Sequence, residues 1–279
     1  MVLLSALLLG LGVGLLSSFL GVGGGILMVP LMPHLFAIDG RVAVATSLFT
    51  VFITVFFNTL MFARRKLMDF KLIFAIGMVA ALSGFLTSFT TGWVQPRTLR
   101  YILAGVLILL GCHLLLSLFG NRERVKSPST AKGMASPVES AEGQMSEPFR
   151  LGQWVLLVTL GIGAGVLSAF TGVGSGLLLT PVLVVAMVGQ PQKVVPTVNG
   201  IMAMTTSFSV LGYLMQDPGQ NMHPYQLGYV RLDIAFLLLV AALSAGRIGQ
   251  LYQSSLSARA RKQLLVVLLF LLAGVALVP

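Results

Sequence analysis

Two short strings in this sequence are dense enough in glycine to do chemistry with the backbone itself. Gly21-Val22-Gly23-Gly24-Gly25 and Gly172-Val173-Gly174-Ser175-Gly176 interrupt apolar runs. Glycine costs a helix interior roughly 1 kcal/mol relative to alanine, so several together end it. In lipid, each freed N–H and C=O costs several kcal/mol unless protein or a wet cavity satisfies it, which puts such a break at a protein-lined cavity. The helix that resumes at Gly24 or Ser175 presents free amides and the positive end of its dipole. That is anion chemistry. The candidate donors are Gly23, Gly24 and Gly25 in the first string and Gly174, Ser175 and Gly176 in the second. A nucleotide-binding glycine loop is a competing reading, but no strand precedes either string and no ribose-binding acid follows at the right distance. Helix packing better suits Gly10-x-x-x-Gly14 and Gly161-x-x-x-Gly165, which read as small-xxx-small seams.

Other polar residues inside apolar runs are candidates to bond sulfonate or carboxylate oxygens. Thr46 and Ser47 follow the first string; Thr197 and Asn199 follow the second. The competing role for each is a bond to neighbouring helix backbone. Arg247, in SAGRIGQL, is the deepest cation and could pair with an anion or snorkel to the interface. Asp39, Asp69 and Asp233 sit at segment ends and read as solvated caps, while His113 reads as a buried neutral imidazole.

These residues need elements to hold them, and composition says which. The chain has 279 residues, is 56% hydrophobic and 9% charged, and has a mean hydropathy of +0.95. Soluble domains carry about 25% charge, so the chain reads as a polytopic membrane protein. One cysteine excludes an internal disulfide. The net charge of +10 sits between apolar runs, which ties it to orientation in the bilayer rather than to nucleic acid. Ten apolar segments follow: 1–20, 22–38, 42–62, 72–92, 99–119, 152–171, 173–189, 194–215, 232–251 and 263–279. They are apolar on every face, which predicts an all-α integral membrane protein rather than a barrel. Residues 120–151, rich in Ser, Pro and charge, read as a linker.

The chain repeats itself. At an offset of 151, Gly10, Gly12, Gly14, Ser17, Phe19, Gly21, Gly23, Gly25 and Pro30 meet identical residues, and Thr46 meets Thr197. Segment 1–20 matches an internal segment and has no basic start, so it is expected to stay in the mature chain. Repeats of this kind belong to transporters and channels. If each Gly-rich run is a single span, Lys and Arg divide ten inside to eight outside. If each run is a hairpin returning to its own side, they divide fourteen to four, with only Arg41, Arg97, Arg100 and Arg231 outside. The second division obeys the positive-inside rule. The expectation is therefore two inverted repeats, 1–119 and 152–279, each a Gly-broken helical hairpin plus three transmembrane helices. The linker 120–151 is then cytoplasmic and both termini are outside.

The strings GVGGGILMVP and GVGSGLLLTP, the duplicated unit and the Thr46-Ser47 pair resemble the TauE/SafE sulfite exporter family. The resemblance implies a multi-pass permease of the bacterial inner membrane for small, often sulfur-containing anions such as sulfite or sulfoacetate. It covers all but the linker. The chain departs from it where Thr197-Val198-Asn199 replaces the Thr-Ser pair. The resulting expectation is a secondary transporter, most simply an exporter, working by alternating access. An anion channel is the alternative, and an intramembrane enzyme the third reading. The expected partners are a small anion, the bilayer and a coupling ion, proton or sodium. No nucleic acid, cofactor or metal is expected.

Overall fold

A computed structural model describes residues 2–20, 24–120, 151–186, 191–219, 223–252 and 258–277. The described residues form ten α-helices: α1 (Val2–Leu20), α2 (Gly25–Phe36), α3 (Gly40–Arg64), α4 (Phe70–Thr90), α5 (Pro96–Gly120), α6 (Leu151–Thr171), α7 (Gly176–Ala186), α8 (Pro191–Leu214), α9 (Leu232–Tyr252) and α10 (Ala258–Leu277). A two-stranded hairpin, Gln226–Leu227 with Val230–Arg231, lies between α8 and α9. The predicted all-helical architecture is what folds. Among the described residues, four helices are long and apolar enough to cross a membrane, within α3, α4, α5 and α8. By contrast α2 has 12 residues and α7 has 11; at 1.5 Å per residue each covers only about 16–18 Å, roughly half a bilayer core.

The outer surface is apolar. Phe57, Phe74, Leu86, Leu109, Leu116 and Phe236 are all exposed. A soluble monomer rarely leaves so much apolar surface to water, whereas lipid accepts it. Two buried clusters fill the interior, one around Met28, Leu48, Leu107 and Leu238, the other around Ile76, Leu179, Leu183 and Ile201. Asp69 caps α4, its Oδ1 accepting from the amides of Lys71 at 3.0 Å and Leu72 at 3.3 Å. Asp39 makes no such bond before α3, and Asp233 instead pairs with Arg231 at 2.6 Å.

Close helix contacts fix the directions of the helices. Gly10 abuts Leu238 and Ala241, and Gly14 abuts Ala242 and Ala245, so α1 and α9 run the same way. Gly161 abuts Ile76 and Val79, and Gly165 abuts Ala80 and Gly84, so α6 and α4 do too. The two small-xxx-small strings do form packing seams, and their partners are helices distant in sequence. On α4, Gly77 meets Met204, Gly84 meets Ser209, and Ser88 meets Gly212, so α8 also runs with α4. Since α6 and α8 share a direction, the intervening segment containing α7 returns the chain to the end where α6 began. Helices α5 and α10 are opposed: Gly111 meets Phe270, while Leu103 and Ala276 line one cavity.

Candidate functional site

The second glycine-rich string is the turn between α6 and α7. Gly172 and Gly174 have φ of +70° and +86°, a region that strains any residue with a β-carbon. The Gly172 amide closes a last turn onto the Ser168 carbonyl at 2.9 Å, the chain reverses, and the Leu179 amide bonds the Ser175 carbonyl at 3.1 Å as α7 begins. Gly174 lies against Val51 and Met202, the midpoints of α3 and α8. The break therefore sits level with the middles of these two long helices.

The first string is placed from Gly24 onward; Gly23 lies outside the described residues. No side chain caps α2, and the Leu27 and Met28 amides return to the Gly24 carbonyl at 3.3 and 3.4 Å. A β-carbon on Gly25 would stand 2.8 Å from both the Gly172 carbonyl oxygen and the Val173 α-carbon. The two breaks thus meet backbone to backbone.

The hydroxyl residues divide into three groups. Thr46 and Thr197 are fully buried and make matching bonds. The Arg231 amide, just before α9, donates to Thr46 Oγ1 at 3.0 Å. The Asp69 amide, just before α4, donates to Thr197 Oγ1 at 3.1 Å. Each threonine, near the start of its helix, so holds the chain that leaves the end of the other: α3 and α8 are antiparallel. Ser47 donates to the Gly172 carbonyl at 2.9 Å, carrying the first half of the chain into the second break. Ser168 and Ser175 are buried at 1% and 0% exposure, and neither hydroxyl has a partner. Asn199 donates its side-chain amide to the Val195 carbonyl of its own helix at 2.9 Å. Arg247 lies on α9, with its side chain outside the described residues. Among the described residues no group of three or more His, Cys, Asp or Glu could hold a metal.

A small cavity opens beside the breaks, between α2, α3, α5 and α10. Val29 and Val44 line it and also abut Gly172. His34 and Arg100 complete its polar lining.

A family profile described as "Sulfite exporter TauE/SafE" matches residues 6–276, nearly the whole chain. The chain belongs to this family. TauE/SafE relatives bear the same kind of name. A probable membrane transporter protein of Methanocaldococcus jannaschii is 24% identical over 250 residues, covering 87% of this chain and 83% of its own. One of Haemophilus influenzae is 27% identical over 213 residues, 75% and 70% of the two chains. The Bacillus subtilis protein YunE is 35% identical over 103 residues, 37% and 38% of the two chains. No solved structure matches. This TauE/SafE chain is accordingly a multi-pass membrane transporter.

One polar contact near the second break was missed by sequence reasoning. Tyr213, fully buried on α8, donates its hydroxyl to the Ala169 carbonyl at 2.9 Å. The signal was a tyrosine inside an apolar helix, whose hydroxyl needs a partner. The threonine bonds carry a prediction of their own. Thr46→Val and Thr197→Val each leave one amide without its acceptor, and each is expected to cost about 1–3 kcal/mol of stability. Thr→Ser should restore it. Thermal denaturation of the purified variants measures this; unchanged melting in both valine variants would contradict it.

Proposed function

We propose that this protein is a secondary transporter that moves small anions by alternating access between two inverted repeats, 1–119 and 152–279. The observation that carries the reading is the meeting of two glycine-rich helix breaks at mid-depth, with the start of α2 uncapped and the Ser175 hydroxyl unpartnered before α7. Amides at Gly24, Gly25, Ser175 and Gly176 then face an anionic group with the positive ends of two helices. A partly buried helix end contributes up to about 2 kcal/mol to an anion. Each charge-assisted amide bond adds about 1.5–3 kcal/mol. Together they reach micromolar to millimolar affinity without a full positive charge, tight enough to bind and weak enough to release. The backbone contact of Gly25 with Gly172 and Val173 closes the path between the breaks, as a carrier requires and an open pore does not. The cavity over Val29 and Val44 supplies an approach to the second break from the Arg231 end.

Helix directions support the inversion. Helices α1 and α9 run together, as do α6 and α4, while α5 opposes α10 and α3 opposes α8. Arg64, Arg65, Lys66 and Lys71 lie around the Asp69 end, which the positive-inside rule assigns to the cytoplasm together with the linker 120–151. Both termini are then periplasmic in a bacterial inner membrane. The cargo class is sulfite, sulfoacetate or a related organosulfur anion, moved outward, with proton or sodium as coupling ion.

Cysteine labelling in intact cells tests the arrangement. Residues of 120–151 and 253–258 should react only after the membrane is opened, and Gln95→Cys and Gln220→Cys from outside. Labelling of 253–258 from outside would contradict it. Proteoliposomes loaded with labelled sulfite test the transport itself.

A further inference from the structure

A helical hairpin brings opposite charges together. The end of α6 offers carbonyl oxygens and the start of α7 offers amide hydrogens, and an anion placed near both would feel the two ends cancel. In the second break three acceptors are already engaged. The Ser168 carbonyl takes the Gly172 amide, the Ala169 carbonyl takes the Tyr213 hydroxyl and the Gly172 carbonyl takes the Ser47 hydroxyl, each at 2.9 Å. Two amide donors of the turn are engaged as well, Gly172 to the Ser168 carbonyl and Val173 to Thr171 Oγ1 at 3.5 Å, but two hydroxyls are not. Of the four buried side-chain polar atoms without a partner among the described residues, two are the hydroxyls of Ser168 and Ser175, flanking this turn. A buried hydroxyl without a partner is costly and asks for a missing one. Spare donors beside engaged carbonyls call for a partner rich in acceptors, and an oxyanion is that partner.

We infer that the second break is the main seat of the anion, and that Ser47 and Tyr213 make it an anion site by occupying the carbonyls that would otherwise repel one. This rests on the reading that transport runs through the breaks. The sequence repeat supplies an independent support. At the offset of 151, Ser47 faces Val198, Tyr213 faces Phe62 and Ser175 faces Gly24. All three hydroxyls have mates with none. Ser168 keeps a serine mate, Ser17; the first break keeps its glycines and its close packing on the second but lacks the other three hydroxyls, so its part is to close over the anion. Ser47 and Tyr213 are positioning residues: they act through the carbonyls they hold, while Ser168 and Ser175 touch the anion.

The test is sulfite binding to the purified full-length protein by calorimetry. Ser47→Val and Tyr213→Phe each copy the residue at the matching position of the other repeat. Each is expected to weaken sulfite binding roughly tenfold, the effect of one exposed acceptor beside a charge. Ser47→Thr should keep wild-type affinity, which separates the hydroxyl from its packing. Tyr213→Phe removes a single oxygen and guards against a folding defect at position 47. Ser175→Ala should weaken binding by a similar factor. If both capping variants bind sulfite as wild type while Ser175→Ala does not, the inference is overturned and the site reading stands. If Ser175→Ala also binds as wild type, the hydroxyl role falls with the inference while the amide site stands; absence of sulfite binding by the wild-type protein would overturn both.

Discussion

Gly25→Val is expected to abolish transport. The β-carbon it introduces would stand 2.8 Å from the Gly172 carbonyl oxygen and the Val173 α-carbon, and 3.0 Å from the Val173 carbonyl oxygen. All three are backbone atoms of the opposing break, which cannot swing aside as a side chain can. The two breaks must then part, and parting them removes the closed state on which alternating access depends. Gly176→Ala is a milder case, because the atoms it meets belong to the flexible thioether of Met202. Sulfite efflux per mole of folded protein in proteoliposomes is the measurement. A Gly25→Val protein that transports within about twofold of wild type, well under 1 kcal/mol of effect, would contradict the placement of the breaks.

Gly165→Ala is expected to destabilise the fold where Gly163→Ala does not. A β-carbon at 165 would stand 2.9 Å from the Gly84 amide nitrogen and run into the Ala80 carbonyl and Ser83 hydroxyl, so α6 must lift from α4. Overpacking of this kind costs about 1–3 kcal/mol. At 163 nothing lies within 4 Å. There alanine replaces the residue that helices tolerate worst after proline, and a gain of roughly 0.5–1 kcal/mol follows. Melting temperatures in detergent should move in opposite directions for two substitutions two residues apart. Movement in the same direction would mean that the seam between α4 and α6 is not where the close contact lies.

Much of this was legible in the residues. The apolar runs gave ten helices because membrane spans are apolar on every face and need no partner to be recognised. The small-xxx-small seams were legible because only small residues let backbones approach. The glycine-rich breaks were legible as helix ends, since clustered glycine rarely has another meaning inside an apolar run. Partners were not legible. Thr46 and Thr197 read as substrate donors; that each also accepts an amide from the far half of the chain, over 185 and 128 residues, is a contact no local pattern encodes. Asn199 read as a site residue because an amide in an apolar helix needs a bond; it makes that bond within its own helix. Tyr213 was not legible because identities mark the repeat, and this position is a difference, a tyrosine where the other copy has Phe62. Gly23 and the Arg247 side chain lie outside the described residues, so their expected roles rest on sequence.

The central claim is that an anion sits at the second break, bound by hydroxyls and backbone amides. Selenite has the charge and pyramidal shape of sulfite and scatters X-rays anomalously. A crystal of the full-length protein soaked in selenite should show one strong anomalous peak within hydrogen-bond reach of the Ser175 hydroxyl and the Gly176 amide, about 3 Å from each. A peak more than one helical turn from both breaks, or one held chiefly by Arg247, would contradict the account.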